Sequence, residues 1–141
     1  MKFPSEKTLI AEQWAQRTLF AGFTTVRNVG ATEHIDVGLR NAINNGVTIG
    51  PRILTAVYSI GSTGGHCDQS PFPPENVPAV GPIEGVCNGP EQCREVVRQQ
   101  MKFGADLIKV CAQPAAARLN RARAVTWARP PAWIEGHAMF P

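Results

Sequence analysis

No Cys-x-x-Cys pair occurs in this 141-residue sequence, and its four cysteines (Cys67, Cys87, Cys93 and Cys111) lack zinc-finger spacing with histidine. They are read as reduced thiols in a cell interior, with a Cys87–Cys93 disulfide across "CNGPEQC" as the alternative. No run is long and apolar enough for a transmembrane helix, so no membrane partner is expected. The start, "MKFPSEKTLIAEQW", has no apolar h-region, so a secretory signal is not expected there. The expected compartment is the cytoplasm, although a full-length relative could carry an export signal upstream. Net charge is also small: the formal balance is only +3. Arg94, Arg98, Arg118, Arg121 and Arg123 lie in the second half, but no aromatic-interleaved basic stripe accompanies them. Nucleic acid is therefore not an expected partner. "NVGATE" is not G-x-G-x-x-G, and no Walker lysine motif occurs, so the usual nucleotide signatures are missing.

What is present is ordinary globular material: 43% hydrophobic and 18% charged residues, enough for one modest domain. Residues 6–21, "EKTLIAEQWAQRTLFA", read as a helix with Ser5 as N-cap and Gly22 at its end. "FTTVRNVG" (23–30) is rich in β-branched and aromatic residues and reads as a strand. Thr32 caps a predicted second helix, "EHIDVGLRNAINN", with Ile35, Leu39, Ala42 and Ile43 on one face. "RILTAVYSI" (52–60) reads as a second strand, followed by a long Gly/Pro-rich loop. Loops of that length in compact domains are usually functional or disordered. Pro90 suits the first position of a third helix, "PEQCREVVRQQMKF", and Gly104 its C-terminal end. "ADLIKVCA" then reads as a third strand.

Alternating helices and short, two-sided apolar strands imply an α/β architecture with a parallel sheet. The first strand-to-strand step is near the length of one βα unit of an eight-fold barrel. A Rossmann-like sheet shows similar steps, so the residues alone give about three βα units over residues 1–112 without choosing between the two. Residues 113–141 form an Ala/Arg/Pro-rich tail that does not resemble another βα unit, and a disordered, truncated or frame-shifted end is expected there.

Two positions could carry chemistry. Lys109 stands in "GADLIKVCA" among Leu107, Ile108, Val110 and Cys111. A lysine in an apolar strand either snorkels, pairs with a carboxylate, or serves chemistry. On the residues alone the ion-pair or snorkelling role is the commoner one. Its place near a strand end nonetheless suits a functional residue of a parallel α/β sheet. A lysine amine kept dry favours its neutral form. A neutral amine can add CO2, and the resulting carbamate offers two oxygens that can bridge metal ions. His66 stands in "GSTGGHCD", beyond the second strand, where it is either a substrate or metal contact or a solvated turn residue. Cys67 beside it makes a poor Cys/His dyad, because neighbours on extended backbone point opposite ways. Arg27 is expected to pair with an acid and Asn28 to cap a turn, with lining of a barrel mouth as the alternative. His34 is placed on an exposed helix turn and His137 in the tail, and neither is given a role.

"AGFTTVRNVG", "LRNAINNG…GPRIL", "STGGHCD" and "GADLIKVCA", in this order, resemble the amidohydrolase superfamily, in its imidazolonepropionase-like and Xaa-Pro dipeptidase (prolidase-like) branch. The likeness runs from about residue 6 to 112. It implies a (β/α)8 barrel with a binuclear divalent metal centre, usually zinc, and hydrolysis of amide or peptide C–N bonds. It implies Lys109 as the carboxylated, metal-bridging lysine and His66 as a substrate contact, with a small peptide or cyclic amide as substrate. The family's His-x-His pair occurs nowhere in this sequence, and its strand would lie before Met1. After Lys109 the chain continues "QPAAARLNRARAV" where the family has a Gly-rich loop and further metal histidines. The expectation is therefore a truncated family member, inactive alone, with exposed sheet edges that favour a homo-oligomer. The alternative is a non-catalytic, self-associating α/β domain that binds a small ligand at loop 61–68.

Overall fold

The structure, a computed structural model, describes residues 3–68 and 80–112. The tail 113–141, with His137, lies outside the described residues. The element order is α1 (Pro4–Phe20), β1 (Thr25–Asn28), α2 (Ile35–Asn44), β2 (Arg52–Thr55) and α3 (Pro90–Lys102), with a 3-10 turn at Pro82–Glu84 before α3. No described helix is long and apolar enough to cross a membrane.

Proline starts two of the helices. Pro4 and Pro90 occupy the first turn, where the missing N–H costs nothing and the ring presets φ. The N-cap of α1 is Phe3 rather than Ser5, which lies inside the first turn. The chain leaves α3 through Gly104 at φ 102, and its N–H donates to the Met101 carbonyl at 3.1 Å. The second helix begins two residues later than its sequence pattern suggests. Glu33 and His34 both adopt φ 58, a left-handed geometry that no helix interior tolerates. Thr32 contributes only its carbonyl, which accepts from Ile35 N at 3.3 Å.

β1 and β2 pair in parallel, with Thr25 opposite Arg52 and Asn28 opposite Thr55. Arg52 N donates to Thr24 O and Ala56 N to Asn28 O, both at 2.9 Å, so even-numbered residues of β1 face β2. Period-two alternation turns the backbone groups of Thr25 and Arg27 to the other edge. The expected third strand is a correction: "ADLIKVCA" makes one isolated parallel bridge, Ile60 to Val110, rather than a regular strand. The cause lies in β2. Val57 sits at φ 63, a costly geometry for a β-branched residue, and the chain leaves the ladder there. The ladder between the two segments is thus split into a contact at Thr55 and another at Ile60.

Two apolar clusters result. Ala15, Leu39 and Ile53 join α1, α2 and β2, with Ala11, Val26 and Ile43 packed around them. Ile60, Cys87 and Val96 form the second, flanked by Cys93, Val97 and Ile108. Val96 is completely buried, a burial worth about 1.5–3 kcal/mol. An open groove of about 550 Å³ runs between α1, β1 and α2, lined by Ile10, Trp14, Val26, Leu39 and Ile53.

The cysteines overturn their expectation as well. All four are paired, Cys87 with Cys93 and Cys67 with Cys111, with Cα separations of 5.0 and 6.0 Å. The first pair is the alternative considered from sequence. The second spans 44 positions and had no local signal.

Candidate functional site

Lys109 and His66 lie beyond the carboxyl end of β2, where parallel sheets place their reactive groups. Three segments meet there. The 104–107 segment docks on Thr55, whose carbonyl accepts from Asp106 N at 2.8 Å and Leu107 N at 3.2 Å. Further on, Ile60 N donates to the Lys109 carbonyl and Cys111 N to the Ile60 carbonyl, each at 2.7 Å. Lys109 is half-buried. Gly61 then pairs with the segment after the 3-10 turn: its N–H donates to Gly85 O at 3.0 Å, and its carbonyl accepts from Cys87 N at 2.9 Å.

Loop 61–68 is organised by side chains. Asp68 Oδ2 accepts from Gly64 N at 2.6 Å, which closes the turn beneath His66. Asn88 holds Thr63 twice, accepting from its N–H at 3.2 Å and donating to its hydroxyl at 2.8 Å. His66 itself is exposed. The Cys67–Cys111 bond joins the residue after His66 to the residue two beyond Lys109. The structure therefore brings the two candidate segments together. A cavity of about 270 Å³ opens beside them, lined by Thr32, Tyr58, Ser59, Cys67, Glu84 and Val86.

A charged brace fixes the start of the lysine segment. Arg40 Nη1 donates to Asp106 Oδ2 at 2.6 Å, to Gly104 O at 2.7 Å and to Thr55 Oγ1 at 3.0 Å. Asp106 Oδ2 also accepts from Thr55 N at 2.9 Å. Partial burial pushes the Asp106 carboxyl up, but the Thr55 N–H, the Arg40 hydrogen bond and charge, and the Thr55 hydroxyl outweigh it and hold the group below its ordinary value.

A second carboxylate supports the strained turn. Asp36 is 2% exposed, and its two oxygens accept from Val37 N at 2.9 Å and Val57 N at 3.1 Å. Neither Arg40, Asp106 nor Asp36 was singled out from sequence, because the Arg40–Asp106 and Asp36–Val57 bonds join residues far apart in the chain. His34 was also misplaced. It is half-buried, edge-on to Tyr58 at 5.8 Å and Phe103 at 5.1 Å. Asn28 does what was expected: its Oδ1 accepts from Gly30 N at 3.1 Å and caps the turn after β1. Arg27 is exposed on β1.

Among the described residues no three His, Cys, Asp or Glu side chains come together as ligands. The cysteine sulfurs are taken up in disulfides. A catalytic zinc usually takes three protein ligands, so the described residues do not by themselves fit one.

Comparison with known proteins places this geometry. The sequence profile of the amidohydrolase family matches residues 3–135. A Xaa-Pro dipeptidase with methionine bound in its active site is similar, with TM-score 0.69 and 42% identity over 73% of this chain and 26% of its own. A prolidase complexed with N-methylphosphonate-L-proline gives TM-score 0.65 and 27% identity over 77% of this chain and 27% of its own. The ochratoxinase of A. niger gives TM-score 0.63 and 25% identity over 77% of this chain and 27% of its own. The chain thus spans about a quarter of the length of these structures. No curated protein matches it.

Proposed function

Because the chain belongs to the amidohydrolase family, whose profile spans residues 3–135, we propose that it is a dipeptidase-like hydrolase piece that is catalytically silent on its own. The observation that carries this reading is the 42% identity to a Xaa-Pro dipeptidase over 73% of the chain. Amidohydrolases are generally metal-dependent. In this reading Lys109 is the position for a carboxylated, metal-bridging lysine, and His66 contacts a small peptide or cyclic amide. Zinc is the metal proposed. The missing donors would have to come from segments other than those described, so no hydrolytic step is assembled from the described residues alone.

The reading also puts the chain in the cytoplasm, where disulfides are transient or redox-sensing rather than permanent. A second reading, a self-associating domain that binds a small ligand without catalysis, draws on the 270 Å³ cavity beside loop 61–68.

Metal analysis of the zinc-loaded chain, together with an assay on Xaa-Pro dipeptides, tests the proposal. The expected result is substoichiometric zinc and no turnover by the chain alone. Stoichiometric zinc with turnover that disappears in Lys109→Ala would overturn the silent assignment. Saturable binding of dipeptides without turnover, lost in His66→Ala, would favour the second reading.

A further inference from the structure

The two disulfides sit in different surroundings. Cys87 is 3% exposed and belongs to the second core cluster, while its partner Cys93 is half-buried against that cluster. Cys67 and Cys111 are each only half-buried. Cys67 also lines the 270 Å³ cavity with Tyr58, Ser59 and Glu84. Thiol–disulfide exchange needs access to a sulfur; the Cys67–Cys111 bond offers a reductant two half-buried cysteines with a cavity beside one of them, and the Cys87–Cys93 bond offers one half-buried cysteine.

That bond spans the candidate site. The backbone bonds that join the loop's approach to the lysine segment are both made by Ile60, before the loop begins. Beyond Gly61, the hydrogen bonds among the described residues run within the loop, as from Gly64 N to Asp68 and from Gly65 N to Ser62 O, or to Asn88. The disulfide lies close over Gly61: a Cβ there would stand 3.1 Å from the Cys67 Cβ and 3.7 Å from the Cys111 Cβ. The covalent bond is therefore what fastens the His66 end of the loop to the segment that carries Lys109.

We propose that the Cys67–Cys111 disulfide is a redox-operated clamp that holds the His66 loop against the Lys109 segment. Its functional meaning rests on the reading of these two residues as site residues. The reductant is a small dithiol. One of its thiolates attacks a sulfur of the pair and forms a mixed disulfide. Its second thiolate then displaces the protein sulfur. The protein bond takes up two electrons and two protons to give two thiols, and the dithiol is oxidised to its own disulfide.

The test uses the full chain under native conditions. It is titrated with dithiothreitol, each cysteine is followed by differential alkylation and mass spectrometry, and amide hydrogen exchange is recorded before and after. Cys67 and Cys111 are expected to open at a dithiol concentration about tenfold or more below that needed for Cys87 and Cys93. Exchange in residues 62–68 is expected to rise about tenfold once they open, with β1 and β2 unchanged. Cys111→Ala should reproduce the rise without reductant, and Cys67→Ala tests the same bond from the other side should that variant not fold. Earlier opening of Cys87–Cys93, or unchanged exchange in 62–68 after Cys67–Cys111 is reduced, would overturn the clamp. So would alkylation of Cys67 and Cys111 in protein never exposed to reductant. None of these readouts depends on zinc or turnover, so the clamp and the hydrolase reading fail separately.

Discussion

Arg40 and Asp106 meet at 2.6 Å, and through them α2 grips the segment that leads to Lys109. The Asp106 carboxyl titrates below its ordinary value despite partial burial, because the Thr55 N–H and Arg40 favour the charged form. A depressed carboxyl stabilises the fold fully above the unfolded value, about pH 3.9, and that contribution is lost as pH falls through the folded value. Urea unfolding at a series of acid pH values should show stability falling in this window. Asp106→Asn should flatten that part of the profile. An unaltered slope in the variant would mean that this pair does not carry the acid sensitivity.

Asp36 offers a sharper test of local geometry. Its two oxygens take two backbone N–H donors, one of them from the strained Val57. Asp36→Ala leaves the buried Val57 N–H and the part-buried Val37 N–H without that acceptor, and a cost of about 1–3 kcal/mol is expected in urea unfolding. Asn should not rescue the position, since its amide would turn a donor toward one of the two N–H groups. A fully stable Asp36→Asn chain would refute this account of the turn.

The outer edge of β1 bears on self-association. Among the described residues β1 pairs on one side only, with β2. Its other edge presents the backbone groups of Thr25 and Arg27 beside the apolar groove lined by Trp14 and Val26. Exposed edges template further strand pairing. Light scattering on a size-exclusion column should show mass rising with protein concentration. Thr25→Pro removes an outward N–H without touching the β2 ladder, and it should shift the chain toward monomer. An unchanged mass distribution in that variant would place any self-association elsewhere.

Much of this architecture was legible in the residues, and the exceptions have physical causes. Pro90 and Gly104 mark the ends of α3 through constraints that are local, so its boundaries fell close to expectation, whereas α1 starts at Pro4 rather than after a Ser5 cap. The first two strands were placed correctly but came out shorter. "RILTAVYSI" has the composition of a continuous strand, yet Val57 takes a left-handed turn that tertiary bonds to Asp36 and Ala31 support. Nothing in a valine announces that geometry. The same turn denies "ADLIKVCA" a straight partner and reduces it to a bridge at Val110. Lys109 and His66 were singled out as candidates because their types are unusual in their contexts. The residues that hold their segments, Arg40, Asp106 and Cys111, were not, because each works through a partner brought near only by folding.

The separation of the apolar interior into two clusters has a consequence for how the chain comes apart. Ala15, Leu39 and Ile53 share no buried member with Ile60, Cys87 and Val96. The polar brace at Thr55 and the backbone near Val57 connect them. Such an arrangement is expected to open as two cooperative units rather than one. The half that bears Lys109 is the one that holds both disulfides, so how far it opens apart from the first parallel pair depends on whether those bonds are intact.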